Sequence, residues 1–152
     1  MFRYDNFNSN EFIDDKFAFE TQNNKESLLT IGNGLFGLRG VYEEKIPYEK
    51  RGFFCSGTYC IAGDFKEELI NLPDISEIQL SIDGKMVHLL SSNMICSQRT
   101  LNLVTGELKR IIHWKLASNQ MILITFTRIF SMNNPHLFLQ SVEINSLDSD
   151  VN

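Results

Sequence analysis

Short apolar runs separated by turn residues make up most of the chain from about residue 76 onward. The runs recur every eight to twelve positions, a spacing that is typical of an antiparallel sandwich or barrel. Residues 76–82 alternate apolar and polar side chains, as a strand with one buried face does. Asp83 and Gly84 then favour a type I′ turn into a second strand over 86–91. The pattern predicts antiparallel β-structure for this half of the chain.

Longer strands are predicted after this hairpin, over residues 95–103, 108–116, 121–130 and 136–144. Turn residues such as Gly106 and Pro135 separate them. The run at 121–130 is almost continuously apolar, which predicts a strand covered on both faces.

The first half of the chain is less regular. Strands are predicted over residues 11–20, 27–31 and 57–62, and residues 41–75 form a long excursion around the last of these. No segment shows a helical pattern of apolar residues. The sequence therefore predicts an all-β fold, an antiparallel β-sandwich.

Four glycines fall within nine residues at positions 32–40, directly after an apolar run. Gly32, Gly34 and Gly37 match the dinucleotide-binding pattern G-x-G-x-x-G, which needs a helix after the glycines to hold a pyrophosphate at its N-terminus. Pro47 and Gly52 leave no room for that helix. We therefore predict that the glycines shape turns and close chain contacts, with Asn33 in the left-handed backbone region.

Residues 26–40 also resemble the opening of family 65 glycoside hydrolases and phosphorylases. Residues 57–63 (GTYCIAG) resemble that family's G-T-Y-x-A-G element, and residues 68–73 (ELINLP) its E-L-V-N-L-P element. Residues 99–110 (RTLNLVTGELKR) are similar to its R-x-L-D-x-x-x-G-x-L-x-R element, with Asn102 where an aspartate is usual. Ordered motifs of this kind are far more specific than one glycine pattern.

The resemblance extends from about residue 26 to residue 131 and implies a fold and a role. It implies that residues 1–152 form the N-terminal β-sandwich, or most of it, of a larger enzyme, with the super-sandwich architecture of galactose mutarotases. In that family the general acid and the phosphate-binding residues lie in a C-terminal (α/α)6 barrel, which this chain lacks. The resemblance thus implies no catalytic or cofactor-binding residue here. We also expect no metal site, because Cys55 and Cys60 are five residues apart and the histidines are scattered. Inorganic phosphate would be the co-substrate of the full enzyme if it is a phosphorylase.

The same resemblance implies the partners. They are the catalytic barrel of the same polypeptide, a second copy in a homodimer, and an α-glucosidic disaccharide such as maltose, trehalose or kojibiose. A cut within the sandwich would leave strand edges that pair with another copy, so we expect self-association. A stand-alone carbohydrate-binding module is the alternative, although a single Trp offers few stacking platforms for sugars.

Composition excludes other classes of function. The net charge is −5, and fourteen dispersed Lys and Arg residues are outnumbered by nineteen acids, which argues against nucleic-acid binding. The N-terminus lacks the basic start and apolar core of a secretion signal, and the apolar runs are too short to span a bilayer. We therefore expect a cytoplasmic protein that binds no membrane.

Adjacent carboxylates occur at positions 14–15, 43–44 and 67–68. Glycoside cleavage uses paired carboxyl groups across the scissile bond. Neighbours on a strand point to opposite faces and neighbours on a loop are usually solvated, so adjacency does not predict a shared site.

Other reactive or charged side chains are candidates for structural roles. We expect Arg39, Arg99 and Arg110 to be partly buried and to satisfy backbone carbonyls or a carboxylate, or alternatively to contact the catalytic domain. The cysteines are expected to be reduced and mostly buried, and the histidines to be structural, with acid–base work of the mutarotase kind as the alternative. These residues are Cys55, Cys60, Cys96, His88, His113 and His136.

Overall fold

A computed structural model describes residues 2–5, 10–62 and 66–147. The elements in chain order are β1 Phe2–Asp5, β2 Glu11–Asp14, α1 Phe19–Leu28, β3 Ile31–Gly32, β4 Phe36–Leu38, β5 Phe53–Ala62, β6 Lys66–Asn71, β7 Ser81–Ile82, β8 Lys85–Met86, β9 Met94–Asn102, β10 Leu108–Lys115, β11 Met121–Phe130 and β12 Phe138–Ser146. Gly63, which ends the 57–63 motif, lies outside the described residues.

Antiparallel sheets make up the fold. One sheet has six strands in the order β1-β2-β9-β10-β11-β12, and a second has four in the order β3-β4-β5-β6. Leu29, Ile31 and Leu38 from the smaller sheet and its approach pack with Leu101 and Phe130 from the larger one. This contact makes the two sheets a sandwich, and the predicted all-β class is confirmed.

The second half of the chain follows the predicted pattern closely. Strands β9 to β12 match the four predicted strands, and Asp83 and Gly84 form the predicted turn with φ of +52° and +71°. The hairpin strands β7 and β8 are much shorter than expected, with two residues each. The prediction that 121–130 is covered on both faces is wrong, because its residues alternate between buried and half-buried.

A helix occupies part of two of the strands predicted in the first half. β2 ends at Asp14, and α1 occupies positions that we expected to be extended, within both 11–20 and 27–31. The buried side chains of α1 are Gln22, Lys25 and Glu26. Their spacing is helical, but because all three are polar, a search for apolar periodicity could not find the helix.

Two apolar clusters lie on the inner face of the large sheet. One contains Leu101, Leu108 and Phe130, and the other contains Trp114 and Ile124 together with residues of the β7–β8 region. Between the clusters along β9, β10 and β11 come three buried arginines, Arg99, Arg110 and Arg128. We call these three residues the arginine row. It divides the apolar core into two parts.

Candidate functional site

The glycine segment forms a β-hairpin in which β3 and β4 flank Gly34. Gly34 has a φ of +87°, a conformation that glycine adopts readily. The nearby helix, α1, precedes the glycines, and irregular chain follows β4. The segment thus lacks the strand-to-helix geometry that holds a pyrophosphate, and the structural interpretation of its glycines is confirmed.

Asn33 fixes this hairpin through its side chain. Its Oδ1 accepts hydrogen bonds from the backbone N–H groups of Leu35 and Phe36 at 3.2 and 3.0 Å. Its Nδ2 donates to the carbonyl oxygens of Ser131 and Pro135, both at 2.9 Å. The prediction of a left-handed backbone at Asn33 is wrong, since its φ is not positive. The amide instead ties the glycine hairpin to the β11–β12 turn.

Residues 39–52, which we call the strap, follow β4 without regular secondary structure. Its carbonyl oxygens and carboxylates meet the arginine row on the large sheet. Val41, Tyr42 and Ile46 of the strap are buried, as are Glu43 and Glu44. The strap is therefore part of the core, not a solvated loop.

Arg110 is the centre of the contact between strap and sheet. Its Nη1 donates to Glu43 at 2.8 Å and to Glu44 at 2.5 Å, and its Nη2 donates to the other oxygen of Glu44 at 2.9 Å. Its Nε donates to the Ser97 hydroxyl at 3.0 Å. The guanidinium is 1% exposed, so these charges meet in a dry environment where each depends on the others.

Arg99 and Arg128 extend the contact on either side. Arg99 donates to Asp14 through Nε and Nη2, at 3.2 and 2.5 Å, and to the carbonyl of Gly40 at 2.8 Å. Arg128 donates to the carbonyl of Val41 at 2.8 Å. Arg128 also forms an ion pair with Glu43, at 2.7 Å. The row thus binds the strap through both backbone and side-chain acceptors.

The Tyr42 ring contacts two of these positive charges. Arg99 and Arg110 are cross-strand neighbours, an arrangement that repels unless something intervenes. Their guanidinium carbons lie 3.9 and 4.5 Å from the centre of the Tyr42 ring, so both make cation–π contacts. Burial raises the pKa of the Tyr42 hydroxyl to about 12, which keeps it neutral.

Arg51 holds the strap from within. Its Nη2 donates to the carbonyl oxygens of Tyr42 and Glu44 at 3.0 and 2.9 Å, and its Nε donates to Glu49 at 2.6 Å. Nη1 donates to Asp74. These bonds close the strap into a compact turn, since one guanidinium spans several acceptors.

Polar contacts of the same kind attach α1. Lys25 donates to Asp14 at 2.6 Å, and Arg39 donates to the carbonyl of Asn23 at 3.0 Å and pairs with Glu26 at 3.4 Å. The prediction that Arg39, Arg99 and Arg110 satisfy a carbonyl or a carboxylate is confirmed, but Arg99 and Arg110 are fully buried where partial burial was predicted. Sequence reasoning missed Arg128, Tyr42 and the polar face of α1.

The acidic pairs take different places. Glu67 and Glu68 are exposed on β6, as expected. The expectation that Glu43 and Glu44 are solvated is wrong, because both bind the buried Arg110. The cause is a buried cation, which needs carboxylates to offset its desolvation. Asp14 is likewise buried, at 2% exposure.

The electrostatics of the buried carboxylates favour a structural role. Burial alone would raise the pKa of Asp14, but the charge of Arg99 and hydrogen bonds from Lys25 and Arg99 outweigh it and lower the pKa. In the same way Arg110 outweighs burial and lowers the pKa of Glu44. A general acid for glycoside cleavage needs a raised pKa. Asp14 and Glu44 are therefore tuned to remain anions that bind arginine.

The histidines and cysteines are dispersed. His88 Nε2 lies 3.0 Å from the Lys45 carbonyl oxygen, His113 is on β10, and His136 is in the β11–β12 turn. The three cysteines are free, but two of them, Cys60 and Cys96, are exposed, so the expectation that they are mostly buried is wrong. In the described part of the chain no group of three or more His, Cys, Asp or Glu residues could hold a metal ion.

The lowered pKa values predict acid-induced loss of stability. The ordinary pKa values of these two carboxyls are 3.8 for Asp14 and 4.5 for Glu44, and both lie lower in the fold. The unfolded chain therefore binds more protons in acid, so the stabilisation is complete above the ordinary values and is lost as pH falls through the folded ones. Glu49, whose pKa burial raises, opposes this in part. We expect the urea concentration at the midpoint of unfolding to decrease as the pH falls below about 4.5, and to decrease less steeply in Asp14→Asn. A midpoint that does not change with pH would contradict the prediction.

Comparisons with known proteins agree with this geometry. The family description "Glycosyl hydrolase family 65, N-terminal domain" matches residues 12–152. A kojibiose phosphorylase of Escherichia coli (strain K12) is 33% identical over 135 residues, which cover 88% of this chain and 18% of that protein. An alpha,alpha-trehalose phosphorylase of Thermoanaerobacter brockii is 27% identical over 139 residues, which cover 80% of this chain and 18% of that protein.

A solved structure shows the same fold. It is described as a provisionally assigned kojibiose phosphorylase from human microbiome, and it matches with a TM-score of 0.80 at 18% identity, over 95% of this chain and 20% of that one. The chain spans about a fifth of the length of the kojibiose and trehalose phosphorylases named above.

Among the described residues, no helix is long and apolar enough to cross a membrane. The chain belongs to glycosyl hydrolase family 65, as an N-terminal domain of that family.

Proposed function

We propose that this chain is the non-catalytic N-terminal β-sandwich of a family 65 glycoside phosphorylase or hydrolase in the cytoplasm, and that it supports the catalytic barrel and the dimer. The full enzyme would cleave an α-glucosidic disaccharide with inorganic phosphate or water. The relatives named for kojibiose and trehalose support this choice of substrates. The carboxylates of the strap support a structural role, because arginines bind them.

The observation that carries the proposal is an uncovered part of the core face. In the register of β11 and β12, Val142 lies opposite Phe126 and Ile144 opposite Ile124. Phe126 and Ile124 point into the core, so Val142 and Ile144 share their face of the sheet. Yet Val142 is 37% and Ile144 50% exposed. An apolar sheet face left open in this way fits a surface that further polypeptide covers.

A second uncovered surface is the β5–β6 hairpin. β6 is exposed along its whole length. Tyr59 pairs with Leu69, and Ile61 lies two residues beyond Tyr59, so these three apolar side chains share one face. All three are exposed. An exposed hairpin with an apolar face is suited to contact a second body such as the barrel.

Self-association tests the uncovered face. β12 is the last strand of the described sheet, so its outer edge offers unpaired backbone groups to a second copy. We expect sedimentation at rising concentration to show dimers or larger species. Val142→Lys should weaken association strongly, because it places a charge on the open face. Val104→Lys, the same change in the exposed β9–β10 turn, should not. A monomer at all concentrations, or equal effects of both variants, would oppose the proposal.

Activity of the isolated chain tests its non-catalytic role. With kojibiose, trehalose or maltose and phosphate, the chain alone should release no glucose 1-phosphate and no free glucose. Release of either sugar, at a rate proportional to the concentration of chain, would refute this role.

A further inference from the structure

A polar cavity lies on the outer face of the large sheet, opposite to the face that contacts the strap. Its volume is about 310 Å³, at the lower end of the range for small-molecule pockets. The lining residues are Glu11, Gln98, Thr100, Asn102, Glu107, Lys109 and Ile111. Nothing in the proposed supporting role requires this cavity.

Strand register builds the cavity. β2 pairs with β9, and β9 pairs with β10, so Glu11 lies opposite Asn102 and Thr100 lies opposite Lys109. Gln98 and Thr100 alternate with the buried Arg99, which points into the core. The same arginine-bearing strand that binds the strap on one face thus presents amide and hydroxyl groups on the other.

The cavity offers hydrogen-bond donors and acceptors side by side. Asn102 Oδ1 already accepts from the N–H groups of Val104 and Thr105, at 2.9 and 3.0 Å, so its Nδ2 is left to donate. The Thr100 hydroxyl accepts from Gln98 at 3.4 Å and keeps its own proton to donate. Gln98 Oε1 and the Glu11 carboxylate are acceptors.

The charges of the lining select the class of ligand. Lys109 is paired with Glu107 at 3.1 Å, so its ammonium is already engaged. Among residues 10–62 and 66–147, Glu11 has no ion-pair partner. Among the described lining residues, an anion would therefore meet an unbalanced carboxylate and no unpaired cation, whereas a neutral hydroxyl can donate to Glu11 and accept from Asn102 or Thr100.

We propose that this cavity binds a neutral polyhydroxylated ligand of about the size of a monosaccharide. Neighbouring hydroxyl groups of such a ligand can each donate and accept a hydrogen bond. They can therefore donate to Glu11 and accept from Thr100 and Asn102. Half-buried Ile111 provides an apolar contact for the C–H face of a ring. The site is shallow and lacks an aromatic platform, so we expect a Kd of about 1 mM.

Titration of the labelled chain with glucose, followed by amide NMR, tests the site. We expect saturable shifts of resonances from β2, β9 and β10 around the cavity. Thr100→Val and Glu11→Gln, which remove one donor and one charged acceptor, should each raise the Kd by about three- to tenfold. Thr125→Val is the matched control, because Thr125 lies on β11 on the same outer face but does not line the cavity.

Three outcomes would overturn the site. They are the absence of saturable shifts well above the expected Kd, an unchanged Kd in both lining variants, or an equal weakening in Thr125→Val. Spermidine distinguishes the alternative occupant, a cation held by Glu11: if it shifts the same resonances and glucose does not, the polyol site is wrong. The sedimentation result on Val142 is independent of all of these, so failure here leaves the supporting role standing.

Discussion

Replacement of Arg110 by Met is expected to lower the free energy of unfolding by about 3–5 kcal/mol, which is a large part of the stability of a domain of this size. The variant leaves Glu44 buried after the loss of its hydrogen bonds at 2.5 and 2.9 Å to the guanidinium. Glu43 keeps Arg128, but among the described residues Glu44 keeps hydrogen bonds from backbone N–H groups alone, those of Leu89 and of Glu44 itself. Methionine fills much of the volume, so the effect reports charge more than a cavity.

The control for this variant is Lys109→Met. Lys109 is the neighbouring residue on β10, but it points outward and its side chain is 43% exposed beside Glu107. Exposed pairs contribute little, so we expect a change within about 0.5 kcal/mol. Urea denaturation of both variants measures the difference. Equal losses would mean that the arginine row does not hold the strap.

The pH dependence of the free energy of unfolding provides a second test of Arg110→Met. In the parent chain Glu44 has a lowered pKa, so stability falls as pH falls. Without Arg110, burial raises the pKa of Glu44, and protonation at lower pH relieves the buried charge. The stabilities of parent and variant should therefore converge in acid. The double variant Arg110→Met with Glu44→Met should be less destabilised than the sum of the two single changes.

The arginine row shows what the sequence could reveal and what it could not. Short apolar runs between turn residues predicted the positions of β9, β10 and β11 well. Arg99, Arg110 and Arg128 are in phase with the buried residues of these strands, so the pattern placed charge in the core. Buried arginines require carboxylates as partners. The carboxylates that bind Arg110 lie 66 or more residues away in the sequence, and the tertiary path of the strap determines which they are. Periodicity is local, so it could not find them.

The helix α1 illustrates a related limit. Its inner face binds Asp14 and Arg39 through Lys25 and Glu26. Polar residues at helical spacing are indistinguishable from a solvated face until their partners are known. The turn between β7 and β8 could be predicted because Asp83 and Gly84 favour it by their own backbone preferences. Local chemistry was thus predictable, whereas polar contacts across the sandwich were not.

Replacement of Gly40 by Ala is the second change expected to have a large effect. An added Cβ would lie 2.5 Å from both Cβ and the carbonyl oxygen of Leu29. Leu29 is fully buried, so it has little room to move. The backbone of Gly40 is also held on both sides, since its N–H donates to the Glu26 carbonyl and its carbonyl accepts from Arg99. We expect a loss of about 3 kcal/mol, at the upper end of the cost of overpacking.

Gly37→Ala is the matched control and decides between the two interpretations of the glycine segment. Gly37 belongs to G-x-G-x-x-G, and Gly40 lies outside it. A Cβ at Gly37 would meet nothing within 4 Å, and its φ is ordinary, so we expect a change within about 1 kcal/mol of either sign. A nucleotide-binding loop would reverse this order, because the third glycine of the pattern allows close helix–strand packing. Thermal unfolding of the two variants therefore tests whether these glycines serve the close approach of strap and core. A larger loss from Gly37→Ala than from Gly40→Ala would show that they do not.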